Sequence, residues 1–355
     1  MPGFLPRPFA IAARGDFPEL EVMQGLIGRA GPALRAEIVE EVQTPGGPLP
    51  LYCLELGAQS AELPAIGFFG GVHGVERIGT QVLLAYLHSL IERLSWDDSL
   101  ARTLEGVRLV FMPIVNPAGM LARTRANPAG VDLMRNAPVE AGSNVPWLLG
   151  GHRLSSALPW YRGVSGAPMQ PEARALCHVV EQRLLAHPFC LTLDCHSGFG
   201  MRDRIWFPYA RSREPVACLP EIYALRTLFR STHPYHGIYV IEPQSRQYMT
   251  HGDLWDYLYD RPRAPGHPYL PLTLELGSWL WVKKSPAQIF SPLGLFNPVA
   301  THRLHRALRR HLTLLDFLVR ATASHARWCP VGDARQPLKE AALAYWYRQA
   351  GGGAD

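Results

Sequence analysis

Residues 65–94 read Ala65-Ile-Gly-Phe-Phe-Gly-Gly-Val-His73-Gly-Val-Glu76-Arg-Ile-Gly-Thr-Gln-Val-Leu-Leu-Ala-Tyr-Leu-His-Ser-Leu-Ile-Glu-Arg-Leu94. The first part, Ala65–Phe69, is a short apolar run that ends in Gly70-Gly71, as a buried strand does where the chain must turn sharply. From residue 77 the pattern changes. Apolar groups fall at Ile78, Val82, Leu83, Tyr86, Leu87, Leu90, Ile91 and Leu94, the 3.6-residue period of a helix over about five turns. At the junction of strand and helix stand a histidine and a glutamate, His73 and Glu76.

The same alternation continues on both sides. Leu34–Val42 and Leu49–Leu56 alternate as strands around a Thr-Pro-Gly-Gly-Pro turn. Val107–Val115 is a further buried-strand run, followed by Asn116-Pro117. Residues 117–168 have little periodicity and many glycines and prolines. So long an irregular stretch inside an enzyme-sized chain points to function. A helix is expected over 171–186, a strand over 189–194, a helix over 216–230, short strands at 238–241 and 270–276, and a long amphipathic helix over about 298–320. Apolar strands alternating with helices predict an α/β fold, a three-layer α/β/α sandwich around a mixed twisted sheet. The expected organisation is one catalytic domain over residues 1–330, with 331–355 a peripheral C-terminal segment.

Composition bounds the partners. The chain has 355 residues, 47% hydrophobic and 18% charged, with net charge +5; this suits a globular enzyme with ample core. The densest basic run, Arg303 to Arg310, falls inside the amphipathic helical pattern and not in a tail, so nucleic-acid binding is not expected. No run approaches the roughly 20 apolar residues of a membrane span. The first twenty residues lack the charged start and apolar stretch of a signal peptide, which predicts a cytoplasmic location. Cys53, Cys177, Cys190, Cys195, Cys218 and Cys329 show no paired spacing and read as small core residues. Nothing in the residues specifies an oligomeric state.

Three ionisable groups occur where apolar strands run out: His73, His196 after Leu-Thr-Leu-Asp-Cys, and Glu275 at the end of Leu-Pro-Leu-Thr-Leu-Glu. The carboxyl ends of strands are where open α/β sheets bind ligands. Imidazole nitrogen and carboxylate suit zinc, and a catalytic zinc takes three protein ligands and keeps a position for water. His73 and Glu76 in an HxxE turn supply two, and His196 at the next strand end is the natural third. A second HxxE, His178 to Glu181, lies mid-helix with no strand before it and carries no such expectation.

Several ordered motifs over residues 65–280 resemble the zinc carboxypeptidase family, the carboxypeptidase A-like metallopeptidases. They are His-Gly-Val-Glu before a long helix; Pro113-Ile-Val-Asn-Pro-Ala-Gly119; Arg125-Ala-Asn127 with Gly130-Val-Asp-Leu-Met-Arg-Asn136; Asp194-Cys-His196-Ser197; Tyr248, Gly252, Asp256 and Tyr259; and Thr273-Leu-Glu275. The resemblance implies one zinc held by His73, Glu76 and His196, with Glu275 as general base and acid. It implies that Arg125 stabilises the oxyanion, Arg123 being the rival for that role. Arg135 and Asn136 would bind a substrate carboxylate, Tyr248 would close over the substrate, Trp255 would line the specificity pocket, and Asp132 would orient His73. The expected reaction is zinc-dependent hydrolysis of an amide bond beside a free carboxylate, on a peptide or muropeptide fragment.

One position departs from the family pattern. Met134 stands where an asparagine usually precedes the carboxylate-binding arginine. The HGxExxG form, Gly79 included, is also similar to the succinylglutamate desuccinylase and aspartoacylase branch, and the chain resembles a bacterial subgroup near it. A deacylase of N-acyl amino acids is therefore the second reading. A non-catalytic binding protein is the third, disfavoured because such a protein has no need of Glu275. Neither a GxSxG elbow nor an HExxH motif is present.

Overall fold

The computed structural model describes residues 17–142, 144–291 and 293–348. Its eight strands are β1 (Arg35–Val42), β2 (Leu49–Gly57), β3 (Ala65–Gly70), β4 (Arg108–Met112), β5 (Cys190–Ser197), β6 (Arg204–Phe207), β7 (Val240–Pro243) and β8 (Tyr269–Leu276). All eight form one sheet in the order β1-β2-β4-β3-β5-β8-β6-β7. The inner four, β4, β3, β5 and β8, run parallel. The β1–β2 hairpin joins β4 antiparallel, and β6 joins β8 antiparallel. The sheet is mixed, as expected.

Along the chain the helices are α1 (Pro18–Ala30), α2 (Arg77–Arg93), α3 (Asp98–Glu105), α4 (Pro117–Ala122), α5 (Pro171–Arg183) and α6 (Leu219–Thr232). They continue with α7 (Leu254–Tyr259), α8 (Trp279–Lys284), α9 (Thr301–Ala323), α10 (His325–Trp328) and α11 (Arg335–Trp346). Every residue of β3 is buried, so both of its faces must be covered. Phe68 stacks on Phe111 at 5.0 Å and meets Tyr86 of α2 edge-on, whereas Phe69 on the opposite face meets Trp255 of α7 at 5.1 Å. Helices on both faces of a central parallel sheet give the expected three layers.

Gly79 brings α2 close enough to matter for function. A Cβ there would lie 2.2 Å from the Cys195 carbonyl oxygen, so only glycine lets the helix rest on the strand that ends in His196. β4 stops at Met112, short of the apolar run that continues to Val115. Pro113 lacks an amide hydrogen for the ladder, and the chain bonds instead to the end of β3, Val115 N donating to Gly70 O and Asn116 N to Gly71 O.

The stretch after residue 330 departs from its expected peripheral place. Helix α11 buries Ala342 and Trp346; the Trp346 ring meets Phe207 edge-on at 4.9 Å, and its indole donates to Ile241 O at 2.8 Å. Apolar groups at 342, 343 and 346 share one helical face, which covers the β6–β7 margin of the sheet. Helices α1 and α3 and the four-residue strand β6 were not anticipated either. Among the described residues no helix is long and apolar enough to cross a membrane.

Candidate metal centre and active-site cleft

After β3 the chain turns at Gly71, whose φ of 64° lies in the left-handed region open to glycine. His73 then precedes Glu76, the residue that opens α2. His196 comes from β5. Side-chain donor atoms of His73, Glu76 and His196 all lie within 4.8 Å of one another, and all three residues are buried. The Glu76 carboxylate sits between the rings, Oε1 2.9 Å from His73 Nδ1 and Oε2 3.1 Å from His196 Nδ1. Ser197 N donates to Oε2 at 2.9 Å. Each histidine turns its other nitrogen to a further carboxylate: His73 Nε2 to Asp132 Oδ1 at 2.9 Å, and His196 Nε2 to Asp194 Oδ2 at 2.6 Å.

With Nε2 of each ring engaged by those acids, Nδ1 is the nitrogen left facing Glu76 and free to ligate a metal once deprotonated. Burial opposes charge on Glu76, but the two histidines hold its carboxyl well below the usual range. Burial likewise opposes charge on His196, and Asp194 with Glu76 pushes its pKa well above normal. Two imidazole nitrogens and one carboxylate, backed by two anchoring acids, form a donor set that fits zinc.

The cleft over this centre has a volume of about 490 Å³. Glu275 lies on its wall, paired in register with His196 across β5 and β8. Burial, and then the Glu76 carboxylate, push its pKa up to about 8. Phe199 N donates to its Oε1 at 2.9 Å. Arg125 donates from Nε to Asp132 at 2.9 Å and from Nη1 to Glu76 at 3.0 Å. Despite burial, those two acids raise its pKa further, so it is a permanent cation. Arg123 is exposed and ends α4 in the left-handed conformation, so of these two arginines Arg125 is the one that lines the cleft.

Arg135 also lines the cleft. It is 4% exposed and its Nε has no protein partner, although buried guanidinium nitrogens are normally satisfied. Tyr248 stands beside it, its ring 5.7 Å from Phe199 and 5.9 Å from Trp206; burial raises its hydroxyl pKa, and Arg135 partly offsets this. Met134 lines the same wall. The rest of the Tyr248 motif ties loops together. Gly252 (φ 70°) passes so close to Arg135 that a Cβ would lie 1.9 Å from the Arg135 carbonyl oxygen. Asp256 accepts from Ala210 N and Arg211 N, and Tyr259 Oη from Cys218 N.

Two expected contacts with substrate are not where the sequence placed them. Trp255 is buried beneath the cleft, its indole donating to Asp194 Oδ2 at 2.9 Å. Asp253 caps α7 through Trp255 N and Asp256 N, and the helix so started turns Trp255 inward onto Phe69. Asn136 uses both ends of its amide on the loop: Oδ1 accepts from Gln170 N at 2.6 Å, and Nδ2 donates to Arg162 O at 2.9 Å. His178 is exposed on α5, and Glu181 pairs with Arg261 at 2.6 Å. Asp194 was missed as a site residue. The signal was its place two residues before His196, on the same face of a strand.

The zinc carboxypeptidase family profile matches residues 42–278. The chain belongs to the zinc carboxypeptidase family. Carboxypeptidase SOL1 of Arabidopsis thaliana is 24% identical over 242 residues, covering 66% of this chain and 45% of that protein. Carboxypeptidase D of Drosophila melanogaster is 31% identical over 107 residues, covering 26% and 8%. This family member thus spans less than half the length of the curated relatives it matches. Among solved structures, thrombin activatable fibrinolysis inhibitor superposes with a TM-score of 0.66 at 18% identity, over 87% of this chain and 74% of that one. Carboxypeptidase A from Helicoverpa armigera gives 0.64 at 18% identity, over 86% and 72%. At such identities the likeness is one of fold.

Proposed function

We propose that this zinc carboxypeptidase family member hydrolyses the amide bond next to a free carboxylate, on a peptide or muropeptide fragment, with one zinc held by His73, Glu76 and His196. The observation that carries this reading is the presence in one cleft of Glu275, the two-histidine, one-glutamate cluster and Arg135 with its unpartnered Nε. When bound, zinc polarises the scissile carbonyl and lowers the pKa of water. Asp132 and Asp194 hold the two imidazoles in the tautomer that can ligate. Glu275 takes the proton of the attacking water and passes it to the leaving amine. Arg125 stabilises the negative charge that develops on the carbonyl oxygen. Arg135 takes the substrate carboxylate in a guanidinium fork, and Tyr248 hydrogen-bonds from the side. Met134 contributes no donor there, so the fork acts without a neighbouring amide.

The test is a screen of zinc-loaded protein against dipeptides, their C-terminally amidated forms and N-acyl amino acids, including acetyl and succinyl derivatives. Free-carboxylate dipeptides should be cleaved, and amidation should lower kcat/KM by about 10- to 150-fold, the loss of one charge-assisted contact. Equal efficiency on free and amidated substrates would remove Arg135 from the site. Turnover of N-acyl amino acids alone would move the function to deacylation.

A further inference from the structure

The basic run of α9 takes no part in the chemistry above, yet the fold gathers it into a cavity. Arg303, Arg306 and Arg310 are spaced by three and four residues, which puts them on one helical face. That face lines a cavity of about 480 Å³, together with Arg202 from the loop after β5 and Lys284 at the end of α8. Five basic side chains therefore converge on a space large enough for a small molecule. Against them stands Asp203, which already accepts from Gly277 N at 3.0 Å and lies 3.4 Å from Arg310. Among the described residues, no carboxylate lies within 4 Å of the charged groups of Arg202, Lys284 or Arg306, and Arg303 reaches only the carbonyls of Trp281 and Lys284.

Like charges three and four residues apart on a helix repel, and no acid in the first turn of α9 relieves them. A ligand of opposite charge would. Guanidinium groups match phosphate and carboxylate oxygens in paired hydrogen bonds, and Trp281, Ile238 and Ala307 add an apolar wall. We propose that this cavity is a second ligand site, for a small multivalent oxyanion, and that its occupancy is felt at the zinc cleft through α8.

The route is short. Arg202 and Asp203 follow the loop whose Phe199 N holds Glu275. Trp281 and Lys284 share α8 with Trp279, which lines the catalytic cleft. Trp279 N donates to Gly200 O, and its indole donates to Gly198 O at 2.8 Å. Gly277, two residues after Glu275, packs against the Arg202 backbone. An anion drawing Arg202, Lys284 and α9 together therefore acts on segments that carry the rim of the cleft.

The experiment titrates zinc-loaded protein with inorganic phosphate, pyrophosphate and citrate by calorimetry, at fixed ionic strength, for wild type, Arg306→Glu and Lys284→Glu. Both altered residues are exposed, so folding should survive, and circular dichroism checks this. Saturable binding of pyrophosphate or citrate is expected with Kd below about 1 mM, weakened about 10-fold or more in either variant. Tighter binding of pyrophosphate than of citrate assigns phosphate chemistry; the reverse assigns carboxylate. The bound anion should also change kcat/KM in wild type and leave it unchanged in Arg306→Glu. No saturable binding, or equal affinity in wild type and both variants, overturns the site. Binding without any change in kcat/KM overturns its coupling to the cleft.

Discussion

His196 and Glu275 face each other across β5 and β8, paired in register on adjacent parallel strands. Side chains of paired residues on neighbouring strands point to the same face of the sheet. The proposed metal ligand and the proposed base are therefore delivered side by side by rigid backbone, and their separation does not depend on a loop. If Glu275 is the proton carrier, Glu275→Gln should retain zinc and substrate affinity and lose about 10²–10⁴ in kcat. Elemental analysis and steady-state kinetics read the two effects separately. Near-normal turnover would place the proton on another group.

The pH profile extends that test. Burial and Glu76 push the Glu275 carboxyl up to about 8 in the metal-free protein, and a cation beside it favours the charged form. Because the base must be ionised, kcat/KM should rise with pH through an acidic limb lying below 8 in the zinc-loaded enzyme. An acidic limb at or above 8 would contradict this placement.

Asp194 receives both the His196 Nε2 bond and the Trp255 indole. Asp194→Ala leaves two buried donors without an acceptor, and zinc affinity should fall about 10–100-fold, measured by chelator competition. Trp255→Phe removes only the indole donor. It should weaken zinc less and leave side-chain preference among dipeptides unchanged. A changed preference would return Trp255 to the substrate pocket.

Gly252 holds its loop against the backbone of Arg135. In Gly252→Ala the new methyl overlaps the Arg135 carbonyl, and the chain must shift at a cost of roughly 1–3 kcal/mol. The Tm should drop, and KM for free-carboxylate substrates should rise more than kcat falls. Unchanged Tm and KM would show that the Arg135 loop is not positioned by this contact.

His311 supplies a pH dependence of stability distant from the zinc centre. Its Nδ1 pairs with Tyr239 Oη at 2.9 Å, and the groups facing it are Asp203, Arg310 and His236. Burial lowers its pKa to about 4, against about 6.5 unfolded. Between those values the unfolded chain binds the extra proton. Stability is thus full above pH 6.5 and is lost as pH falls toward 4, by up to about 3 kcal/mol. His311→Gln should flatten the slope of Tm against pH across that window. Identical slopes in the two proteins would contradict a neutral buried imidazole.

The sequence by itself determined the alternation of buried strands and amphipathic helices, and with it the layered α/β fold. It also placed His73, Glu76, His196 and Glu275 at strand ends. Both readings rest on local order, since periodicity reports which face of an element is buried and a strand end delivers its next residues to the rim of the sheet. Only the tertiary structure decided the partners of those residues. Arg125 reaches Glu76 across 49 positions, Trp255 turns inward because Asp253 starts its helix, and Asn136 is spent on bracing a loop. The C-terminal helix, read as peripheral, found a hydrophobic margin of the sheet that no local pattern announces. The cations of α9 read in the sequence only as part of an amphipathic helix, and Arg202 and Lys284, from two other segments, close the cavity with them. Each of these contacts joins residues far apart in the chain. Their meeting is set by strand order and by how the layers pack, which periodicity within one segment does not encode.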